Sequence, residues 1–359
     1  MKYIFTNSHI SNSLSILKLI AAGICLFSLI SCAQNPRKEI TRGVYFWKTS
    51  FTLSAEELNW LKQTNIEKLY LRLFDVDWNP QINSAVPIGD ITITTKDVRN
   101  IEIVPVVFIT NTTLKNISDS LISLLSDNIY KKIFGKFSLF KNQTIKEIQL
   151  DCDWTETTRC KYFNILKHLK QLCKENKVEI TATIRLHQVK YFDRTGVPPV
   201  NRGMLMFYNM SDVSDIRTIN SIYDEDVAKR YLVNFDKYPL DLDVVLPAFS
   251  WACWFRNGKI KNLINDIKPN DLEKNQSFAK EDKNIFRATK ECFLKGNYIL
   301  TGDFLRTEET DYKSTLSAAV LIAPHIQNKS VTVSLYHLNG EVIKNYGKDE
   351  LEDIVGCFY

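Results

Sequence analysis

Residues 145–156, Ile-Lys-Glu-Ile-Gln-Leu-Asp-Cys-Asp-Trp-Thr-Glu, restrict the fold more than any other stretch of this chain. Ile148, Leu150 and Cys152 fall on one face of a period-2 pattern, and Gln149, Asp151 and Asp153 fall on the other. That alternation reads as a β-strand. Helical patterns flank it, so the strand is covered, yet two carboxylates project from one side at its carboxyl end. A parallel α/β barrel accommodates this, because inward faces converge at the carboxyl ends of its strands, where chemistry is found.

The rest of the chain repeats the rhythm. Strand patterns fall at 43–47, 68–75, 102–109, 179–187, 203–210, 242–249 and 331–337. Residues 102–109 form a nearly continuous apolar run, as a strand buried on both faces requires. In 68–75, Leu69, Leu71 and Leu73 are expected to face outward under helices, with Tyr70, Arg72 and Phe74 inward. Ser54 with Glu57 three residues on forms a capping-box pattern for a first helix, with Leu58 and Leu61 on its buried face. Further helices are expected at 118–137, 157–175, 224–236, 311–322 and 349–358. Residues 75–100, with Pro80, Pro87 and Gly89, read as a long excursion carrying a short hairpin near 91–94. The rhythm breaks again between Trp251 and Arg306, where Asn257-Gly258 signals a hairpin and 298–304 a further strand. The expectation is a (β/α)8 TIM-type barrel with insertions after strands 2 and 7. A doubly wound open sheet is the alternative, and neither G-x-G-x-x-G nor G-x-x-x-x-G-K is present to favour it.

Lys2 and Lys18 precede an apolar run at 19–30 that is short for a membrane span. It ends Leu29-Ile30-Ser31-Cys32, which resembles a bacterial lipoprotein signal. That resemblance implies a signal peptide at 1–31, lipidation of Cys32, a tether at 32–40 and a single barrel domain at 41–359. Ala33 after the cysteine implies sorting to the outer membrane, and hence a place in the bacterial cell envelope with membrane contact through a lipid anchor. The formal charge is +5, and losing Lys2 and Lys18, with no acid in that segment, leaves +3. A surplus this small and dispersed gives no footprint for nucleic acid. Six further cysteines, Cys152, Cys160, Cys173, Cys253, Cys292 and Cys357, include no C-x-x-C pair and accompany no histidine cluster. No metal site and no cofactor is expected from them, and buried free thiols are the expected state.

In a barrel, the inward strand ends deliver Arg72, Gln149, Asp151, Asp153, Arg185, His187, Tyr208 and Tyr336 to one cavity. Carboxylates, arginines and tyrosines in a shared cleft suit recognition of a polyhydroxylated carbohydrate ligand and acid–base work on it. The competing role for Asp151 is a buried ion pair with Arg72 or Arg185. Trp47, Trp78, Trp154, Trp251 and Trp254 fall at or beyond strand ends, where an indole either stacks on a sugar ring or plugs the core. Single histidines such as His187 and His337 read as hydrogen-bonding positions.

Asp151-Cys-Asp153 on the fourth strand, Met206-Phe-Tyr208-Asn209 on the sixth and Pro247-Ala-Phe-Ser-Trp251 on the seventh resemble the family-18 glycoside hydrolases, the chitinases and chitinase-like proteins. The Gln-x-Asp-x-Asp strand and Gly43-Val-Tyr-Phe-Trp47 resemble, more closely, an uncharacterised bacterial barrel family. The chitinase pattern is D-x-x-D-x-D-x-E, whose last Glu protonates the glycosidic oxygen while the preceding Asp orients the acetamido group. With Asp151 and Asp153 on the middle acids, Thr155 holds the place of that Glu and Glu156 comes one residue late. Shifted by two, Asp153 takes the acid position, with Asp151 before it and Gln149 upstream. This register needs no irregular backbone and is the one adopted. The resemblance then implies Asp153 as general acid with a raised pKa, Asp151 as its electrostatic partner and Tyr208 as an acetamido-holding tyrosine. Trp47, Arg72, Gln149, Arg185, His187, Asn209, Trp251 and Tyr336 are the implied substrate-binding residues, Asn209 replacing the usual Asp. The functions implied are a glycoside hydrolase or, because the usual Glu is replaced, a non-catalytic glycan-binding lipoprotein.

Overall fold

A computed structural model describes residues 38–359; the expected signal segment and Cys32 lie outside the described residues. Eight parallel strands close on themselves: β1 (Glu39–Phe46), β2 (Lys68–Asn79), β3 (Glu102–Ile109), β4 (Glu147–Asp151), β5 (Glu179–Arg185), β6 (Arg202–Met206), β7 (Leu242–Pro247) and β8 (Ser330–Tyr336). Each pairs with the next, and β8 pairs with β1, which makes this a (β/α)8 barrel. β1 begins at Glu39, inside the stretch read as tether.

Alternation decides which side chains go where. Ile148, Leu150 and Cys152 of β4 lie in the outer core beneath the helices, whereas Gln149 and Asp151 point inward. The amino-terminal end of the barrel interior is closed by ion pairs, Lys68 to Glu147 at 2.7 Å and Arg202 to Asp243 at 2.9 Å. Above them Tyr45 and Tyr70 stack at 4.8 Å between ring centroids.

In β2 the expected faces hold through Leu73 and then change. A bulge between Arg72 and Phe74 shifts the register against β3, so Phe74 and Val76 join the outer core and Phe74 does not face inward. The same shift turns Asp75 inward beside Arg72. No helix follows β2 among the described residues. Its extended end pairs antiparallel with Ser84–Ile88, so the hairpin of the first insertion lies earlier than 91–94. Residues Thr92–Ile93 pair instead with Ser50–Phe51.

The first helix, Ala55–Gln63, carries the full Ser54–Glu57 capping box. Trp60 and Leu61 fill its buried face, while Leu58 is 40% exposed, contrary to expectation. Helix Arg159–Leu172 buries Tyr162, Ile165, Leu166 and Leu169. Among the described cysteines, which are free, Cys152, Cys173 and Cys253 are buried, but Cys160 is exposed on that helix. The second insertion, between β7 and β8, folds as a five-stranded antiparallel sheet in the order 259–265, 250–256, 304–309, 285–288, 278–280. Asn257 and Gly258 both take positive φ, 50° and 69°, as a two-residue hairpin turn of this type demands. The strand expected at 298–304 is two strands, Asn297–Ile299 and Phe304–Glu309, separated by a turn held by Asp303.

Candidate functional site: a cleft across the barrel mouth

The carboxyl ends of the strands and one face of the inserted sheet enclose a cleft of about 570 Å³, a volume in the range of small-molecule sites. Arg72, Asp151, Asp153, Arg185, Tyr208 and Tyr336, which the strand pattern directs to one cavity, all line it, and so do Trp47, Asn209 and Trp251, which the resemblance added. Two expected residues stand elsewhere. Gln149 is buried below the cleft floor, where its Oε1 accepts from Tyr45 Oη at 2.5 Å. His187 is not on β5, which ends at Arg185; it sits in the short helix Leu186–Lys190 and lines an adjoining depression with Asp153, Arg185, Tyr208, Asn209 and Tyr231. Gln188 ends the strand there, accepting from Arg185 N through its side chain at 2.8 Å.

One guanidinium organises the acids of β4. Arg185 Nε donates to Asp153 Oδ1, and Arg185 Nη2 lies 3.5 Å from Asp151 Oδ1. Asp151 Oδ1 also accepts from Thr183 Oγ1 at 2.5 Å. Burial pushes the Asp151 carboxyl above its usual range; Arg185 opposes the rise and the nearby Asp153 charge adds to it. Burial disfavours the charged Arg185, but Asp151 and Asp153 more than offset it and hold the guanidinium protonated. Asp153 itself is 50% exposed. Arg72 is committed to Asp75 by a two-pronged contact of 2.7 and 2.5 Å, and its Nη1 donates to Gly89 O at 3.2 Å. A Cβ on Gly89 would lie 2.4 Å from Arg72 Nη2, so glycine there keeps the guanidinium in place.

Thr155, two residues beyond Asp153, begins a turn in which its N–H donates to Thr158 Oγ1 at 2.9 Å. Glu156 is exposed and pairs with Arg194 at 3.2 Å. The aromatic floor centres on Tyr336, whose ring centroid lies 5.2 Å from Tyr208, 5.4 Å from Phe249 and 6.0 Å from Trp47. Burial pushes the Tyr208 and Tyr336 hydroxyls up, so both are neutral donors. Trp154 is a core plug: it is fully buried, stacks on Tyr162 at 5.1 Å and donates Nε1 to Thr195 O at 2.9 Å. Trp254 lies on the far face of the inserted sheet and donates to Asp303 at 2.8 Å. Trp78 packs half-buried against the outer core.

The strand pattern missed Asp75, Lys48 and Asp266, which line the cleft together with His337, read from the sequence as a hydrogen-bonding position. The apolar phase shift from Leu73 to Phe74 and Val76 signals the bulge that delivers Asp75. Nothing local signals Asp266, which the inserted sheet carries in. Among the described residues, no group of three His, Cys, Asp or Glu side chains is arranged to hold a metal ion.

No family model and no curated protein matches the chain. Solved structures do. They include a chitinase from Chromobacterium violaceum ATCC 12472, at 12% identity and TM-score 0.53, covering 89% of this chain and 98% of that one. The spore cortex-lytic enzyme SleL of Bacillus megaterium QM B1551 matches at 12% identity and TM-score 0.54, covering 90% of this chain and 76% of that one. SleL of Bacillus cereus matches at 13% identity and TM-score 0.51, with coverages of 90% and 75%. At such identities the likeness is one of fold alone: this chain and those proteins share a closed eight-stranded (β/α)8 barrel.

Proposed function

We propose that the barrel binds a carbohydrate chain in the cleft without cleaving it by chitinase-type acid catalysis. The supporting observation is the commitment of the acids at the ends of β2 and β4. Asp75 is bonded to Arg72, Asp153 to Arg185, and Asp151 to Thr183 and Arg185. Proton donation by Asp153 would require breaking its pair with Arg185. Trp47, Trp251, Tyr208 and Tyr336 supply flat apolar faces with polar edges, the combination that holds sugar rings.

Hydrolysis with Asp153 as acid and Asp151 as its partner is the second reading. It is favoured by one feature, the buried Asp151 carboxyl with its raised pKa. Quenching of tryptophan fluorescence by N-acetylglucosamine oligomers, and by other neutral oligosaccharides as a panel, tests the binding reading. Saturable quenching that is lost in Trp251→Ala supports it, and no quenching by any member overturns it. On the residues at 1–32, we further propose that the protein is exported and held at the outer membrane through a lipid on Cys32. Incorporation of a fatty-acid probe that disappears in Cys32→Ala is the corresponding test.

A further inference from the structure

β4 and β8 are diametrically opposed in a closed barrel of eight strands, and the cleft spans both. The β4 side carries Asp153 and Arg185. The β8 side carries a second set of polar groups that the cleft's acid–arginine network does not touch: His337, immediately after β8, and Asp266, from the inserted sheet.

Two structural features hold Asp266 there. Its backbone takes φ 56°, which turns the chain at the end of strand 259–265, and its N–H donates to Ser250 O at 2.9 Å. Asn339, just beyond β8, donates its Nδ2 to Asp266 Oδ1 at 2.9 Å, tying the inserted sheet to the barrel. His337 is 9% exposed, and its Nδ1 has no hydrogen-bond partner. Burial, with Lys48 adding to it and Asp266 opposing, pushes the imidazole down to about 4, so the ring is neutral near pH 7. No ion pair joins His337 to Asp266 within 4 Å, although both line the cleft. A carboxylate held by one oxygen and a neutral imidazole therefore face the same space from two different elements. The His337 ring has a backbone hydrogen bond with Leu338, but a buried ring nitrogen left without a partner, as Nδ1 is, is costly, and an incoming hydroxyl or amide group supplies one.

We propose that Asp266 and His337 form a second recognition point of the cleft, taking the hydroxyl or amide groups of a sugar unit at the end opposite Asp153 and Arg185. The inference rests on the glycan-binding reading. It adds that the ligand is an oligosaccharide long enough to cross the barrel mouth over the Tyr336 floor. A single residue or a short oligomer reaches one polar end only.

The test is calorimetric titration with N-acetylglucosamine oligomers of two to six units, using wild type, Asp266→Asn, His337→Gln and His337→Ala. Asp266→Asn retains the acceptor for Asn339, so it separates recognition from folding, and thermal unfolding of each variant checks this. Loss of one hydrogen bond to a charged group corresponds to about a tenfold loss of affinity. The expected result is that loss for the longest oligomers, with less than about a twofold change for the dimer. If wild type binds the series and the folded variants bind every length as wild type does, the second recognition point is refuted while the glycan reading stands. An equal loss at every length also refutes it. If wild type binds no oligomer of the series, the second recognition point is refuted for these ligands, and the glycan reading is decided by the wider oligosaccharide panel.

Discussion

Replacing Arg185 by methionine removes the cation that Asp151 and Asp153 share. The Arg185 side chain is 18% exposed and that of Asp151 6%, so this is an interior pair and not a surface one. Deleting one partner of a buried pair costs about 3–5 kcal/mol. Two features reduce the figure here. The Arg185 Nη2 to Asp151 contact is long, at 3.5 Å, and Thr183 still donates to Asp151 at 2.5 Å. Asp153, half exposed, can turn to water. The expected cost is about 2–3 kcal/mol at pH 7.5.

Its pH dependence follows from Asp151. Burial already raises that carboxyl in the folded state, and without Arg185 nothing charged opposes the rise. The folded variant then holds a proton that the unfolded chain releases near pH 3.9, so its stability falls as pH rises through that interval. The gap from wild type is widest at neutral pH and narrows on acidification. Adding Asp151→Asn removes the buried charge and recovers most of the loss. Guanidinium unfolding of the two single variants and the double variant at pH 5 to 7.5 measures this. A gap under about 1 kcal/mol at pH 7.5, or one that neither acid nor Asp151→Asn relieves, refutes the argument.

Three further outcomes follow from other parts of the molecule. A Cβ on Gly43 would lie 2.2 Å from Ser334 Oγ inside the barrel; Gly43→Ala is expected to cost about 1–3 kcal/mol in denaturant unfolding. Ser334→Ala recovers part of that loss, because its hydroxyl has no partner to lose. Glu308 is fully buried against Arg306 at 2.5 Å and also accepts from Trp251 Nε1 at 2.8 Å. Glu308→Ala is therefore expected to cost about 3–5 kcal/mol and to shift Trp251 emission, with thermal unfolding and fluorescence as the readouts. The unfolded chain protonates His337 near 6.5, whereas the folded state resists until about 4. Wild type is accordingly expected to lose up to about 3 kcal/mol relative to His337→Gln as pH falls between those values, with Asp266 and Lys48 as the charges nearest the ring. Parallel stability profiles for the two proteins refute this.

Period-2 alternation located the barrel and most of the cleft because burial on one face and convergence on the other act at every strand. In β4 the reading of Gln149, Asp151 and Asp153 needed only that rule. It failed where the backbone leaves the ideal strand. The bulge in β2 reverses the faces after Leu73, so Phe74 leaves the interior and Asp75 enters it. At β5 the alternation runs on through His187, but the backbone has already turned into a helix at Leu186. Trp154 and Trp251 look alike as aromatics near strand ends; one fills the outer core and the other lines the cleft, because one falls on the outward phase of β4 and the other on the barrel-facing side of the inserted sheet. Asp266 reaches the cleft through an insertion whose path depends on tertiary packing against β8, which no local pattern encodes. Ser54 and Glu57 were legible for the opposite reason: a capping box is wholly local.

Under the proposed function, the cleft binds sugar while its acids are held by arginines. The most direct measurement follows binding and reducing-end release together, on the chain from Ala33 onward, with N-acetylglucosamine hexamer and an aryl-glycoside panel. Saturable binding of the hexamer is expected, with no release above the uncatalysed background, unchanged in Asp153→Asn. Turnover by wild type that is abolished in Asp153→Asn would contradict it and make Asp153 the acid.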